Sequence, residues 1–335
     1  MPKHTFHFLN VKNGDCSIIE HGSGHVSVID VCNARRIKEE MTLLESLEMF
    51  SRAGSGNFQQ KKHPVNPIEY LKKFGIDSIF RFMLTHPDMD HMDGIKDLFE
   101  EFSPANFYDT DNNAEKEFEK GSPYRKEDWD FYKNLRDKNP QTDPKRLTIF
   151  SGDDGIYRTK DWDGKRPGDA FYTLAPTPEL VKEGNEAKDY NDSSYVVLYR
   201  DATGRILISG DSHDKTWEHI LENWEDDVKD VDLLIAPHHG RKSGRSYSFL
   251  DTVNPKMTFF GNAKYEHLAY GAWNSRKLEF VTNNQANCMV VDCTGDNLTL
   301  YVTNENFAKS KNPYSFYAKQ YDAWYVKEIS GWDLK

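Results

Sequence analysis

Short apolar runs separated by turn residues form the first part of the hydrophobic pattern. Residues 6–11, 16–20 and 25–31 are such runs, and Gly, Asn, Asp or Ser stand between them. Runs of this length bounded by turn residues are typical of β-strands joined by tight turns. The N-terminal pattern therefore predicts an antiparallel sheet.

A strand, a turn and a helix are predicted over residues 78–102. Residues 78–84 are apolar except for one Arg, which is typical of a buried strand, whereas residues 95–102 carry apolar side chains at helical spacing. Asp93 lies where a cap of that helix is favoured. The turn between strand and helix is dense in potential ligands: His86, Asp88, Asp90 and His91.

The region before this strand has mixed patterns. Residues 37–50 have helical spacing, residues 51–57 have the composition of a surface loop that would suit an active-site lid, and residues 66–75 predict a short helix ended by Gly. After the strand and helix, the periodicity fails between residues 102 and 169. We expect only short elements there: helices at 114–120 and 127–136 and a strand at 146–150.

Two later strands are predicted to end in candidate ligands. Strands are predicted at 191–199 and 205–211, with apolar residues at 195–198 and 206–208, on either side of a short Gly-containing turn, which predicts a hairpin ending in Asp211. Another apolar run begins at residue 231 and ends in two adjacent histidines: His238 and His239. Further strands are expected at 170–176 and 257–262, and a last hairpin at 288–302.

Composition narrows the class of protein. The chain has 335 residues, of which 37% are hydrophobic, 13% aromatic and 29% charged, so one large α/β domain with insertions fits its length. No run is apolar enough to span a bilayer, and the N-terminus lacks the apolar region of a signal peptide. We therefore expect a cytoplasmic protein with no membrane partner.

Charge and cysteine content add two expectations. A net charge of -11 argues against simple binding of duplex nucleic acid, which needs Lys and Arg against phosphates. Cys16, Cys32, Cys288 and Cys293 form no Cys-x-x-Cys pair and lie in or beside strand-like runs. This placement favours buried free thiols over a disulfide or a zinc knuckle.

The His- and Asp-rich turn has the chemistry of a metal site. Imidazole nitrogen and carboxylate oxygen are preferred by borderline divalent cations such as zinc, and a turn points successive side chains in different directions. The alternative is an acidic, solvated turn with incidental histidines. The later candidate ligands favour the metal site.

The sequence Thr-His-Pro-Asp-Met-Asp-His-Met-Asp-Gly resembles the His-x-His-x-Asp-His signature of the metallo-β-lactamase superfamily, in the variant of the ComEC-like hydrolase branch. The resemblance extends from about Phe6 to Val302 and implies a four-layer αββα sandwich. This gives a hydrolase domain at 1–302 with an insertion at about 103–168. An aromatic C-terminal extension at 303–335 would pack over the sandwich or mediate homo-oligomer formation.

The resemblance also implies two divalent metal ions. His86, Asp88 and Asp211 would hold the first, and Asp90, His91, Asp211 and His239 the second, with Asp211 bridging. Zinc is the expected metal and manganese the alternative, because Asp88 stands where most members have histidine and is a harder ligand. The family's further ligand to the first metal has no counterpart histidine, and Asp192 is a candidate substitute. Asp30 is either a support for the ligands or a cap of its strand.

Catalytic roles are expected for Asp90, His238 and Lys242. A water activated by the metals would attack the substrate, Asp90 would orient it, and His238 would contact a phosphoryl oxygen or donate a proton. The reverse assignment, with His238 as ligand and His239 free, stays open. The basic run of Arg241, Lys242 and Arg245 suits a phosphate ester, although a solvated loop is the alternative.

The substrate expected from these features is a phosphodiester, either single-stranded DNA, a nucleotide or a small ester. The protein would then be a phosphodiesterase or nuclease. A binding or regulatory module with impaired catalysis is the competing class, because Asp88 and the missing histidine depart from the signature. A β-lactam or thioester hydrolase has less support because it has no use for the basic loop.

Overall fold

The computed structural model describes residues 4–36, 58–137, 143–160, 163–165 and 168–329. The helix expected at 37–50, and the loop at 51–57 with its suggested lid, lie outside the described residues.

Strands and helices alternate along the described chain. The strands are β1 (Thr5–Phe8), β2 (Ser17–Glu20), β3 (Val26–Ile29), β4 (Arg81–Met83), β5 (Asn106–Tyr108), β6 (Lys145–Leu147), β7 (Phe171–Ala175), β8 (Val196–Asp201), β9 (Gly204–Ile208), β10 (Leu233–Ile235), β11 (Met257–Phe260), β12 (Phe280–Thr282), β13 (Met289–Asp292), β14 (Leu298–Val302), β15 (Tyr317–Ala318) and β16 (Ala323–Ile329). The helices are α1 (Pro67–Lys73), α2 (Ile95–Phe102), α3 (Lys126–Arg136), α4 (Pro178–Ala187), α5 (Asp214–Val228), α6 (Leu250–Val253), α7 (Tyr270–Arg276), α8 (Asn283–Ala286) and α9 (Glu305–Lys311).

The strands form two mixed sheets. The larger sheet has the order β15-β16-β14-β13-β1-β2-β3-β4-β5-β6, and the smaller has the order β12-β11-β10-β9-β8-β7. The N-terminal strands pair antiparallel as expected, whereas β3, β4, β5 and β6 run parallel. The predicted hairpin is β8 with β9, and β9, β10, β11 and β12 are parallel.

Alternation of side chains along the strands builds the layers. In β3, Ile29 packs in the core between the sheets, while Val28 packs on the opposite face. In β9, Ile208 faces that same core and Leu207 faces outward. Helices cover both outer faces, so the chain is a four-layer αββα sandwich and the expected fold is confirmed.

The two outer layers are made by different helices. Helices α1, α2 and α3 pack on the larger sheet through apolar side chains: Leu71, Leu98 and Trp129. Helices α5 and α7 pack on the smaller sheet through Trp217 and Trp273. Each fully buried Leu or Phe of such a layer contributes about 1.5–3 kcal/mol relative to exposure.

Two predicted local features are wrong. Residues 114–120 are not helical, and Arg136 Nη1 donates to the carbonyl of Ala114 at 2.8 Å, which joins this segment to α3. Asp93 is not the cap of α2, because its carboxylate accepts from Arg35 Nη2 at 2.6 Å. Gly94 precedes the helix instead, with a φ of 95°. A Cβ at Gly94 would lie 2.4 Å from the carbonyl oxygen of Ala34.

The insertion and the C-terminal extension both contribute to the larger sheet. β5 and β6, from the insertion, form one of its edges. The helix expected at 127–136 is α3, and the strand expected at 146–150 is the shorter β6. At the other edge β16 pairs with β14, and Val326 and Ile329 join the inter-sheet core. The extension is therefore built into the sandwich.

All four cysteines are buried and free, as expected. Among the described residues, no helix combines the length and the apolar character needed to cross a bilayer.

Candidate metal centre

Four chain segments meet at one edge of the sandwich, each just after a strand. Asp30 follows β3, His86 follows β4, Asp211 follows β9, and the two histidines follow β10. Since β3 pairs parallel with β4, and β9 with β10, their carboxyl ends lie at the same edge of each sheet. The two sheets therefore bring their ligand-bearing turns face to face.

Asp211 lies at the centre of the cluster. Its Oδ2 lies 3.6 Å from His86 Nε2, and its Oδ1 lies 3.2 Å from His91 Nε2 and 3.9 Å from His239 Nε2. Asp90 Oδ2 lies 3.5 Å from His239 Nε2. Two sets of potential ligand atoms result, each within 4.8 Å: His86, His91 and Asp211, and Asp90, His91 and His239.

The buried atoms of this cluster fit a divalent metal. The Nε2 atoms of His86, His91 and His239, together with Oδ1 of Asp211, are buried without a hydrogen-bond partner in the described part of the chain. Buried polar atoms are normally paired because an unpaired one costs about 1–3 kcal/mol. A cation ligated by imidazole nitrogens and a carboxylate would satisfy all four atoms.

The ligand charges are compatible with a cation. Although burial lowers the pKa of His239, Asp15 and Asp211 raise it to about 10. The pKa of Asp211 is lowered despite burial because His91, His239 and His86 surround it. The carboxylates thus favour a positive charge at His239, and a metal would compete with the proton for this nitrogen on binding.

Asp30 holds His91 from behind. Its Oδ2 lies 2.8 Å from His91 Nδ1, and the same carboxylate accepts from Thr85 N and Thr85 Oγ1, each at 2.7 Å. Of the two roles expected for Asp30, the contacts are those of a ligand support.

Asp15 lies behind His239 in an ion-pair contact, with Oδ1 2.9 Å from Nδ1, and the sequence did not reveal this contact. Its signal is the Gly14-Asp15 turn. A Cβ at Gly14 would lie 1.8 Å from the carbonyl oxygen of Asp90, so the absence of a side chain there lets the turn pack against a predicted ligand.

His238 and His239 occupy consecutive left-handed positions, with φ of 52° and 57°. This conformation is uncommon for residues with a side chain, and it directs the two rings differently. His239 is fully buried in the cluster, whereas His238 has a side chain that is 20% exposed. The geometry favours His239 as the ligand.

His238 remains close to the centre, with Nε2 3.5 Å from Asp211 Oδ2. Burial lowers the pKa of His238 to about 4, so the ring is neutral at pH 7. Arg245 Nη1 lies 2.9 Å from His238 Nδ1, and because a guanidinium only donates, that nitrogen accepts. The ring proton is therefore on Nε2 and faces the centre.

Asp88 lies at the margin of the cluster. Its Oδ2 is 3.6 Å from His86 Nε2, but its Oδ1 accepts from Lys116 Nζ at 2.7 Å, and its side chain is 43% exposed. It belongs to neither set of converging ligand atoms. Asp192, the suggested substitute ligand, accepts from Thr216 N and Oγ1 instead and is in neither set.

One cation of the basic loop, Arg245, has a structural role that the sequence did not predict. Arg245 donates from Nε to the carbonyl of Ser212 and from Nη2 to the carbonyl of Asp211, so it supports the loop that carries Asp211. Lys242 has an exposed side chain, and its backbone N–H donates to His267. No contact joins the Lys242 side chain to the centre in the described ranges, and its catalytic role stays a prediction.

The fold and the ligand set together describe an αββα sandwich with a candidate divalent-metal centre. No family model matches the chain, and no curated protein matches its sequence. Solved structures do match at low identity. An isothiocyanate hydrolase from Delia radicum gut bacteria is 11% identical, covers 82% of this chain and 95% of its own, and has a TM-score of 0.43.

Two further solved structures are similar to the same degree. Tm1679, a metal-dependent hydrolase of the β-lactamase superfamily, is 11% identical over 83% of this chain and 95% of its own, with a TM-score of 0.42. A diphosphatase from the PhnP family is 11% identical over 83% of this chain and 94% of its own, with a TM-score of 0.39. These likenesses are too weak to assign an activity to this chain, so its fold and site are described from the contacts given above alone.

Proposed function

We propose that this chain is a metal-dependent hydrolase of the metallo-β-lactamase superfamily, ComEC-like in its signature, which cleaves a phosphodiester. The observation that carries the proposal is the cluster of four unpaired buried atoms on His86, His91, His239 and Asp211. These residues come from three segments, and burying their unpaired atoms costs folding free energy that a bound cation would offset.

Metal binding would be divided around Asp211. His86 with Asp211 would hold one cation, assisted by Asp88, and Asp90, His91, Asp211 and His239 would hold the other. Zinc suits the imidazole-rich set, and manganese is the alternative. When bound, such cations lower the pKa of water to near neutrality and offset negative charge on a reacting phosphoryl group.

The chain's own residues supply orientation and protons. Asp30 orients the His91 ring by a hydrogen bond, and Asp15 lies against the His239 ring at ion-pair distance, so each ring has a carboxylate behind it before substrate binds. Asp90, whose pKa is lowered to about 2 by His239 and His91 despite burial, is ionised at pH 7 and can accept a hydrogen bond from the attacking water. His238, neutral at pH 7, presents its Nε2–H toward the centre and can donate a hydrogen bond to a substrate oxygen.

The first test is metal content together with hydrolysis. Purified protein loaded with zinc or manganese is assayed with bis(p-nitrophenyl) phosphate, a single-stranded DNA oligonucleotide, an RNA oligonucleotide and p-nitrophenylphosphorylcholine, with nitrocefin as the β-lactam control. We expect metal-dependent cleavage of at least one phosphodiester, lost in D211N. Two metal equivalents without cleavage of any phosphodiester would contradict the proposed substrate class.

A binding or regulatory module is the second candidate, favoured by the pairing of Asp88 with Lys116 instead of with the ligand cluster. It predicts little or no bound metal and no hydrolysis. Metal equivalents per chain, measured by elemental analysis, separate the two candidates directly.

A further inference from the structure

One basic side chain of the insertion reaches the candidate metal centre. Lys116 Nζ lies 2.7 Å from Asp88 Oδ1, and the other oxygen of Asp88 lies 3.6 Å from His86 Nε2. The ammonium group is therefore separated from a predicted metal ligand by a single carboxylate. Among the described basic residues, Lys116 is the Lys or Arg that forms an ion pair with the turn at 86–91.

The backbone that carries Lys116 is held firmly. Asn112 Nδ2 donates to Tyr132 OH at 2.7 Å, and Arg136 Nη1 donates to the carbonyl of Ala114 at 2.8 Å. Asn112, Ala114 and Tyr132 are all buried. These contacts fasten the extended segment to α3, so Lys116 is presented by a fixed backbone.

The Lys116 side chain is also confined. Its Nζ lies 5.9 Å from the ring centroid of Trp129, which is buried in the outer layer. Such a contact favours the cation modestly, by about 0.5–1 kcal/mol at an exposed site. The side chain is still 27% exposed, and an ammonium has three N–H donors, so the bond to Asp88 leaves donors for a ligand.

The negative charge of the candidate metal centre indicates a function for the Lys116 ammonium group. The cluster is rich in carboxylates, with Asp88, Asp90 and Asp211 facing it and Asp15 and Asp30 behind. Bound metal ions would offset part of this charge, and a protein cation beside them would further favour an anionic substrate. Arg245 is engaged with backbone carbonyls and with His238, and the Arg241 and Lys242 side chains make no ion pair or hydrogen bond with the centre in the described chain.

We propose that Lys116 binds a phosphoryl oxygen of the substrate and thereby selects anionic phosphate esters over neutral esters. The ammonium keeps one hydrogen bond to Asp88, which fixes its position, and donates another to the substrate oxygen. This inference rests on the proposed function and assigns its substrate recognition to the insertion. An insertion that carries a different residue at this point would then change the charge of the preferred substrate.

The test compares K116M with K116R and with K120M, which removes an exposed lysine from the same insertion and keeps the net charge of K116M. Three quantities are measured on metal-loaded protein: the affinity for inorganic phosphate by calorimetry, kcat and KM for bis(p-nitrophenyl) phosphate, and metal equivalents per chain. p-Nitrophenyl acetate serves as the neutral ester.

We expect K116M to weaken phosphate binding and to raise KM for the diester by about 10- to 100-fold, the value of a charge-assisted hydrogen bond. Metal content and any turnover of the neutral ester stay unchanged. K116R recovers most of the loss because it keeps the charge, and K120M matches the wild type.

Two results would overturn the assignment: unchanged phosphate affinity in K116M, or an equal loss in K120M. If the unchanged affinity comes with an extra metal equivalent in K116M, Lys116 instead limits occupation of the first metal position. Failure of the wild type to bind metal or to cleave any phosphodiester would count against the proposed function itself. Metal and phosphate binding by the wild type with no effect of Lys116 would overturn only this inference.

Discussion

His91 Nδ1 lies 2.8 Å from Asp30 Oδ2, although the two residues are 61 positions apart. The same carboxylate binds the backbone N–H and the hydroxyl of Thr85, one residue before His86. One buried side chain thus holds the end of β3, the start of the ligand turn and the ring of a predicted ligand. Ligand orientation is therefore built into the core of the larger sheet.

We expect D30N to lower metal affinity by about 10- to 100-fold, since the amide cannot offer two acceptor oxygens to Thr85 and His91 together. Competition with a chromophoric chelator measures the affinity. D77N, at an exposed position, is the matched control and should bind as the wild type does. Equal affinity in D30N and wild type would show that His91 is not a ligand or needs no support.

The adjacent histidines should separate metal binding from turnover. H239N removes a buried ligand atom, so it should lose most of its metal, as D211N does. H238N should keep its metal content and lower kcat by about 100-fold, because it removes the imidazole N–H that donates a hydrogen bond toward the centre. Elemental analysis and steady-state kinetics on the same samples test both. Loss of metal in H238N, with retention in H239N, would reverse the assignment.

Gly14 is expected to control the position of Asp90. In G14A the new methyl group would meet the Asp90 carbonyl, so the turn must move. Overpacking of this kind costs about 1–3 kcal/mol of unfolding free energy, and metal affinity should fall with it. G295A, where a Cβ has no neighbour closer than 3.8 Å, should change stability by less than about 0.5 kcal/mol. Urea unfolding and chelator competition provide the two measurements.

A buried histidine away from the metal centre should make the protein sensitive to acid. His21 Nδ1 lies 3.1 Å from the carbonyl of Asp169, and Arg81 Nη1 lies 3.3 Å from His21 Nε2. The guanidinium only donates, so Nε2 must keep its lone pair. Burial, with Arg81 beside it, lowers the pKa of His21 from 6.5 to about 3.

The direction of the pH effect on stability follows from the pKa of His21 in the folded and the unfolded chain. Between pH 6.5 and about 3 the unfolded chain binds a proton at His21 and the folded chain does not, so stability falls as pH falls through this range. At pH 5 the loss from this group is about 2 kcal/mol relative to pH 7.5. Urea unfolding of wild type and H21Q at both pH values measures it, and H21Q should lose less stability on acidification. Identical pH dependence in the two proteins would refute the assignment.

Local patterns predicted the strands that carry the candidate ligands and the helices on the larger sheet, but not α5 and α7, which cover the smaller sheet. The runs at 205–211 and 231–240 end in candidate ligands because a buried strand needs consecutive apolar residues and its end is where polar residues return. The same reasoning located α1, α2 and α3 to within a few residues. It failed at 114–120, where a side chain from α3 takes the backbone acceptor at Ala114, a contact that no local pattern encodes.

By itself, the sequence determined the strands, the turns between them and the ligand types at their ends, because hydrophobic pattern and turn chemistry act between near neighbours. The two-sheet layering was expected only from the family resemblance. Only the tertiary structure decided which side chains complete the centre. Asp15 contacts His239, Lys116 pairs with Asp88, and Asp192 accepts a hydrogen bond from Thr216. These choices depend on how two sheets and an insertion pack, since contacts between distant segments are set by the geometry of the whole fold.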